Sequence, residues 1–317
     1  MKFLVIFTGG TIGSKLNNGW ISPDAATKHT LIEQYKSHFD SSVEFFIEEP
    51  YSILSENLSA DDINLLIKTI GSGLCNDYDG IIVTHGTDTL QYSAAALSFC
   101  FGEDTIPIIL VSSNLPLDDE KANGHENFSS AVEFIKTRQG KGVFVAYKNK
   151  NDIVRFHKGL ELLAHREADD SICSINDNDY ASVNNGKIEV AGKAESTHTP
   201  LGAFELVESP KILVISSYPG DEFAYRLDGY NAVILRPYHS GTLNTSNKKF
   251  KTFCESAREN NIPVFMVNAL PEENYESVKA LDELGIIPML NVPFISLYMR
   301  LWIAVSRGVT PISVLEK

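Results

Sequence analysis

The sequence is poor in cysteine and has no cysteine pair at metal-binding spacing. Its four cysteines, Cys75, Cys100, Cys173 and Cys254, are scattered along the chain. Neither they nor the histidines show the spacing of a zinc site or a redox motif. Isolated cysteines are usually buried as free thiols, and we expect that state here. The sequence therefore predicts no metal and no organic cofactor.

Runs of basic residues and long apolar runs are also missing. The formal net charge is -14, which disfavours nucleic acid and anionic membranes as partners, because phosphate binding needs clustered lysine and arginine. No stretch reaches the roughly 18 apolar residues of a membrane span. The apolar opening Met1 to Phe7 is too short for a signal peptide and has no cleavage-site pattern. We therefore expect a cytoplasmic protein.

The composition favours a globular α/β protein with two domains. The chain has 317 residues, 43% of them hydrophobic and 21% charged, which is enough for a large core and more than twice the roughly 150 residues of a typical domain. Short apolar runs alternate with helical patterns, which is typical of βαβ units around a mainly parallel sheet. The first predicted strands are Phe3–Phe7, Gly80–Val83, Pro107–Val111 and Gly142–Tyr147, with helices at Ala60–Gly71 and Thr89–Phe101.

The alternation is interrupted between residues 191 and 210, a segment with little periodicity that we interpret as a linker. The sequence thus predicts a larger N-terminal α/β domain, residues 1–190, whose mainly parallel sheet is flanked by helices. A smaller C-terminal α/β domain follows at residues 211–317. Its predicted strands are Ile212–Ser216, Ala232–Leu235, Pro263–Val267 and Ile286–Leu290, and its predicted helices are Ser246–Asn260 and Asn274–Leu284.

The first stretch that carries chemistry is Thr8-Gly9-Gly10-Thr11-Ile12-Gly13, directly after the first strand. Its glycines allow a sharp turn at the carboxyl end of a strand, where ligands bind in open α/β sheets. The turn presents the Thr11 hydroxyl at that edge. The spacing is neither a dinucleotide fingerprint nor a phosphate loop. A tight turn without function remains the alternative.

The second stretch runs from Ile81 to Gln91 and is again a strand, a polar turn and a helix. Asp88 and Gln91 fit a helix N-cap with a weak capping box, so Asp88 has a purely structural interpretation. A Thr-Asp pair at a strand's carboxyl end also suits catalysis, because it can orient a hydroxyl and hold the ammonium group of an amino acid. The sequence leaves both interpretations open.

Together, Thr8 to Gly13 and His85 to Thr89 resemble the two signature sequences of the bacterial-type L-asparaginases. The stretch Ser112 to Leu117 resembles the corresponding loop of the cytoplasmic type I branch. The likeness covers most of the chain and weakens after about Leu201. It implies an amidohydrolase that converts L-asparagine and water to L-aspartate and ammonia, and a homodimer or homotetramer.

The resemblance also implies roles for individual residues. Thr11 matches the nucleophilic threonine, while Thr87, Asp88 and Lys158 match a second catalytic group. Lys158 is aligned only by its distance beyond the strand Gly142–Tyr147, and a surface lysine is its alternative. The residues expected to contact substrate are Ser55, which would hold the carboxylate, Ser113, whose carbonyl would face the amide, and Glu56, Gly86 and Trp20.

The implied chemistry suits these residue types. A threonine hydroxyl is a weak nucleophile that must lose its proton to a neighbouring base. In this scheme a buried Lys158 takes the proton through Thr87, and Asp88 orders the group. Attack on the side-chain amide releases ammonia and leaves an aspartyl ester for water to cleave. Backbone N–H groups near Thr11 and Thr87 would stabilise the oxyanion.

Two residues depart from the family pattern. Trp20 aligns with a tyrosine of a mobile loop, and an indole N–H donates a hydrogen bond but cannot act as a base. The loop contains Asn17-Asn18-Gly19 and is a lid candidate. Asn123 stands where an aspartate is expected. Both changes bear on the rate and on the choice of substrate.

Two other functions remain open. The amidase subunit of a tRNA-dependent amidotransferase shares this type of domain, but such a protein is expected to carry an extension before the first strand. A catalytically weak relative that binds amino acids as a sensor is favoured by Trp20 and Asn123. Nucleotide binding is disfavoured, because no phosphate-loop lysine or ribose-binding acid has the required spacing.

Overall fold

A computed structural model describes residues 1–24, 27–191, 200–269 and 275–314. By its internal contacts the chain divides into two compact units, Met1–Phe204 and Glu205–Lys317. The boundary lies within the segment 191–210, of which residues 192–199 are outside the described ranges. Within those ranges, no helix is both long and apolar enough to cross a membrane.

The first unit is built around an eight-stranded sheet with the order β10-β9-β8-β7-β6-β5-β1-β4. Strands β4, β1, β5, β6 and β7 are parallel, and β8, β9 and β10 each run antiparallel to the strand before. Strands β2 and β3 form a separate hairpin. The strands are β1 (Lys2–Phe7), β2 (Ser14–Asn17), β3 (Trp20–Pro23), β4 (Glu44–Glu48), β5 (Gly80–Thr84), β6 (Ile108–Val111), β7 (Val143–Lys148), β8 (Val154–Lys158), β9 (Ala181–Asn184) and β10 (Lys187–Val190).

Helices cover both faces of this sheet, as expected for parallel strands that are apolar at every position. They are α1 (Thr27–His38), α2 (Ala60–Leu74), α3 (Leu90–Phe101) and α4 (Gly124–Thr137). Alternate strand residues such as Val5 and Ile82 form one core cluster with side chains of α1 and α4. On the other face Gly73 of α2 lies against the side chains of Leu4 and Ile81.

The predicted strands and helices of this unit are present, with small differences at their ends. Helix α2 begins at a full capping box, in which the hydroxyl of Ser59 and the carboxylate of Asp62 each accept a backbone N–H of the other residue. Strands β4 and β8 to β10 were not predicted from the sequence. Strand β4 is the edge strand at one end of the sheet and β8 to β10 lie at the other end, and exposed positions interrupt their apolar runs.

The second unit contains a parallel sheet with the order β11-β12-β13-β14. Side chains of α5 and α6 pack on one face of this sheet and those of α7 on the other. Each predicted strand and helix of this region has its counterpart, and α7 is additional. The elements are β11 (Ile212–Ser216), β12 (Ala232–Arg236), α5 (Lys248–Glu259), β13 (Val264–Ala269), α6 (Glu276–Glu283), β14 (Ile286–Leu290) and α7 (Phe294–Ser306).

None of the four cysteines forms a disulfide, as predicted, but not all are buried. Cys100 and Cys254 lie in the cores, whereas Cys173 is partly exposed and Cys75 is exposed. Cys75 follows the last residue of α2, where its thiol donates to the carbonyl of Gly71 at 3.5 Å. The sequence-based expectation of four buried thiols was therefore wrong for Cys75, because a helix end faces solvent.

Candidate functional site

The sheet brings three polar loops to one edge. Phe7 of β1 pairs with Thr84 of β5, and Thr84 pairs with Val111 of β6. The chain leaves each of these strands in the same direction, so the segments that begin at Thr8, His85 and Ser112 emerge side by side. This is the edge where ligands bind in open parallel sheets.

The Gly9-Gly10 turn is fixed by a neighbouring loop. The backbone of Ile53 accepts a hydrogen bond from the Gly10 N–H at 2.8 Å and donates one to the Thr8 carbonyl at 3.1 Å. Gly9 and Gly10 have positive φ values of 100° and 73°, which favour glycine. A 3-10 turn, Thr11–Gly13, follows directly. Thr11 is thereby presented at the start of a tight turn and is partly buried.

The two signature loops touch through their glycines. A Cβ on Gly10 would lie 2.4 Å from the Cα and N of Gly86, and one on Gly86 would lie 2.5 Å from the Cβ and Oγ of Ser55. Only glycine fits at such close approach. Because Thr11 follows Gly10 and Thr87 follows Gly86, the structure brings both threonines and Ser55 to one place.

Asp88 belongs to this group and is not the cap of α3. The N-cap of α3 is Thr89, and it makes no side-chain cap hydrogen bond. Asp88 is exposed, and its Oδ2 accepts from the Ser55 hydroxyl at 3.3 Å. The Thr89 hydroxyl instead donates to the Ser55 carbonyl at 2.8 Å. The capping interpretation of Asp88 is thus not realised, since the helix begins one residue later.

A buried histidine holds the carbonyl of Gly86. The His85 Nδ1 lies 2.8 Å from that carbonyl, and the His85 Nε2 lies 2.9 Å from the Ser93 hydroxyl. A carbonyl oxygen only accepts, so Nδ1 carries the proton and Nε2 accepts from Ser93. Burial lowers the pKa of His85. The ring is therefore a neutral, fixed support for the turn.

A second histidine, His165, contacts the next carbonyl of the same turn. Its Nε2 lies 3.0 Å from the Thr87 oxygen, and its Nδ1 lies 3.2 Å from the Ser171 oxygen. This residue was not among those predicted from the sequence. It lies in a loop without periodicity, and a contact to a backbone carbonyl leaves no motif in a sequence.

The structure does not bring Lys158 to the site. Lys158 ends β8 beside Phe144, near the amino end of β7, and its Nζ lies 3.8 Å from Glu103. Glu103 follows the carboxyl end of α3, whereas Thr87 precedes the amino end of this helix, which is about 18 Å long. The expected proton-accepting role of Lys158 is corrected accordingly: β8 runs antiparallel and carries the lysine away from the ligand-binding edge.

The side-chain amide of Asn123 uses both its oxygen and its nitrogen in hydrogen bonds, which a carboxylate at this position could not do. Its Oδ1 accepts from the Asn114 N–H at 2.9 Å, its own N–H donates to the Asn114 side chain at 3.0 Å, and its Nδ2 donates to the Lys148 carbonyl at 2.8 Å. An aspartate has no donor for that carbonyl.

Nearby, the Ser113 hydroxyl accepts from the Gly124 N–H at 3.2 Å and donates to the Leu115 carbonyl at 2.5 Å.

The remaining predicted residues lie at exposed positions. Trp20 is 80% exposed and pairs with Asn17 across the β2–β3 hairpin. The two turn residues, Asn18 and Gly19, have φ values of 50° and 84°, as two-residue hairpin turns require. Glu56 is exposed in the 3-10 turn Ser55–Asn57. Among the described residues, no cluster of histidine, cysteine, aspartate and glutamate could hold a metal ion.

Comparisons with known proteins identify the family of this chain. The family model "Asparaginase, N-terminal" matches residues 2–196. A Glutamyl-tRNA(Gln) amidotransferase subunit from Methanococcus vannielii is 30% identical over 304 residues, which span 90% of this chain and 70% of the relative. L-asparaginase of Thermococcus kodakarensis is 28% identical over 304 residues, 91% of this chain and 88% of that protein.

A solved structure has the same fold. L-asparaginase I of Vibrio cholerae superposes with a TM-score of 0.80 at 24% identity, over 99% of this chain and 95% of that one. The two-domain α/β fold and the family expected from the two signature stretches are thereby confirmed. This chain belongs to the asparaginase family.

Proposed function

We propose that this protein hydrolyses the side-chain amide of L-asparagine, with Thr11 as the nucleophile. The observation that carries the proposal is the glycine contact between the two signature loops, which brings Thr11, Thr87 and Ser55 together. The hydroxyls of these three residues and the exposed carboxylate of Asp88 then lie at the ligand-binding edge of a parallel sheet. They supply a nucleophile for covalent acyl transfer and anchors for an amino acid.

Each residue has a distinct role in the proposed reaction. The Thr11 hydroxyl attacks the amide carbonyl, and its proton passes by way of the Thr87 hydroxyl to the amide nitrogen, which leaves as ammonia. Water then cleaves the ester between Thr11 and the aspartyl group, which returns a proton to Thr11 and releases aspartate. Asp88 binds the substrate ammonium group and Ser55 its carboxylate, replacing the long hydrogen bond that now joins the two side chains at 3.3 Å. N–H groups of the Gly10 and Gly86 turns stabilise the oxyanion. Lys158 has no role in this scheme.

The anchors also set the size of the substrate. If Asp88 and Ser55 fix the amino-acid end, the amide carbon of glutamine is displaced by one methylene from Thr11. One methylene in a pocket is worth about 1–3 kcal/mol, so we expect asparagine to be preferred about 10- to 100-fold in kcat/KM. Steady-state ammonia release from L-asparagine, L-glutamine and D-asparagine tests the proposal. Absence of turnover with all three would contradict it.

Amino-acid binding without turnover is the second candidate. The location of Lys158, outside the group formed by Thr11 and Thr87, favours it. Such a protein would be stabilised by L-asparagine, since a ligand that binds only the folded state raises its stability. It would release no ammonia. A rise in melting temperature with asparagine, together with no product, would establish this function instead.

An amidase subunit is the third candidate, favoured by the 30% identity to a Glutamyl-tRNA(Gln) amidotransferase subunit. In that case the chain would act with a partner protein and use little free asparagine.

The asparaginase that we propose is cytoplasmic, needs no cofactor and forms a homodimer or homotetramer. Sedimentation of the purified chain, with turnover measured on the same sample, separates an active homo-oligomer from a subunit that requires a partner.

A further inference from the structure

The loop that carries His165 is tied back to itself and lies against α3. The Leu163 N–H donates to the Cys173 carbonyl at 2.9 Å, and the Ile175 N–H donates to the Glu161 carbonyl at 2.8 Å. At the beginning of the loop, a Cβ on Gly159 would lie 2.8 Å from the Ala94 carbonyl of α3. The loop thus runs beside α3, and His165 reaches the turn before the amino end of that helix.

The two ring nitrogens of His165 both face carbonyl oxygens, at 3.0 Å for Thr87 and 3.2 Å for Ser171. An imidazole N–H can donate to a carbonyl oxygen, and the contact with Thr87 is the shorter of the two. His165 therefore links its own loop, at Ser171, to the turn that carries Thr87.

The carbonyl contacts fix the direction of the backbone N–H groups. In a trans peptide the C=O and the following N–H point in opposite directions. His85 holds the Gly86 carbonyl and His165 holds the Thr87 carbonyl. The N–H groups of Thr87 and Asp88 are consequently turned away from the two histidines. Without His165 the Thr87 carbonyl retains the long hydrogen bond from the Leu90 N–H at 3.4 Å, so the peptide between Thr87 and Asp88 is held more loosely.

We propose that His165 is a positioning residue, which holds the peptide between Thr87 and Asp88 in the orientation that the reaction needs. This inference rests on the proposed function of the same site. His165 contacts no reacting atom in this scheme. It acts on the orientation of the Thr87 side chain, the Asp88 side chain and the Asp88 N–H.

The test compares His165→Ala and His165→Gln with the wild type, and His38→Ala serves as the matched control. His38 also contacts a backbone carbonyl, that of Gln34 at 2.9 Å, but it is exposed at the end of α1. For His165→Ala we expect kcat for asparagine to fall about 100-fold, the scale of a small misplacement of reacting groups. Glutamine at this position retains an N–H donor and should recover most of that loss, while His38→Ala should behave as wild type.

Rescue by glutamine and hydrogen exchange decide between positioning and simple support of the fold. If His165 acts through the Thr87 carbonyl, His165→Gln should recover most of kcat while His165→Ala does not, at equal melting temperatures. The backbone amides of residues 86–90 should exchange faster in His165→Ala than in the wild type. Equal kcat for the two variants, or unchanged exchange of these amides, would overturn the inference. Lack of turnover by the wild type itself would contradict only the proposed function, since the exchange measurement still tests the role of His165.

Discussion

Gly10 and Gly86 approach so closely that neither position has room for a side chain. A Cβ on Gly10 would lie 2.4 Å from both the Cα and the N of Gly86. The obstacle is backbone, which cannot move aside as the end of a flexible side chain can. This contact joins the two signature loops and determines where Thr11 and Thr87 lie relative to each other.

Gly10→Ala should therefore damage both the fold and the activity. Gly10 also has φ 73° and ψ −178°, a combination that is essentially restricted to glycine and costs other residues about 1–3 kcal/mol. We expect a loss of at least about 2 kcal/mol in the free energy of unfolding and loss of turnover. Gly13→Ala is the matched control in the same segment, because a Cβ there meets nothing within 4 Å. Equal urea midpoints for the two variants would contradict this account.

Asp88→Asn should lower activity without lowering stability. The change removes the negative charge that faces the substrate ammonium group, and a charged hydrogen bond contributes about 1.5–3 kcal/mol. We expect kcat/KM for asparagine to fall roughly 10- to 100-fold. The melting temperature should stay close to wild type, because Thr89 and not Asp88 is the N-cap of α3. A variant that loses stability but keeps its turnover would assign Asp88 a structural role only.

Asn123→Asp should destabilise the protein although it restores the residue expected from the family pattern. Asparagine supplies the donor for the Lys148 carbonyl at 2.8 Å, and aspartate would leave that carbonyl without its partner and place a charge at a buried position. The expected cost is about 1–3 kcal/mol in the free energy of unfolding. Asn76→Asp, at an exposed position at the end of α2, should cost much less. A stabilised Asn123→Asp variant would show that the amide network is not required.

The burial of the His85 ring should account for part of the loss of stability in acid. Its folded-state pKa lies below the ordinary value of about 6.5 because burial disfavours the charged ring. Below about pH 6.5 the unfolded chain binds a proton that the folded chain does not. The free energy of unfolding therefore decreases as the pH is lowered, by at most about 1.4 kcal/mol per pH unit. His85→Gln should lose less stability than wild type between about pH 7.5 and 5.5. If urea titrations showed that wild type and His85→Gln lose equal stability over this pH range, His85 would not be a source of the acid sensitivity.

Much of the fold and part of the site could be predicted because both leave local signals. Apolar runs ending at glycine turns located β1 and β5, and parallel strands place their carboxyl ends at one edge, so Thr11 and Thr87 could be expected together. Lys158 could not be placed in this way. Its distance beyond β7 does not tell whether the chain continues along the sheet or returns, and it returns as the antiparallel strand β8.

Other features depend on contacts that no sequence pattern records. Helix α3 begins after Thr89 rather than after Asp88, and the Thr89 hydroxyl donates to the distant Ser55 carbonyl instead of capping the helix. His165 approaches Thr87 from a loop 78 residues away in the sequence. Asn18-Gly19 is a strong hairpin signal, but the segment was interpreted only as a lid. The structure forms β2 and β3 on either side of it and leaves Trp20 exposed.

The most direct test of the account is ammonia release from L-asparagine by wild type, Thr11→Ala and Thr87→Ala, with Thr69→Ala as control. Thr69 is a partly exposed threonine of α2, outside the signature loops, and its hydroxyl donates to the Leu65 carbonyl. We expect turnover by wild type and Thr69→Ala. Both other variants should lose about three orders of magnitude or more, because each lacks a hydroxyl at the reacting centre, while their melting temperatures stay close to wild type. Turnover near the wild-type rate in folded Thr11→Ala would contradict the central claim that Thr11 is the nucleophile.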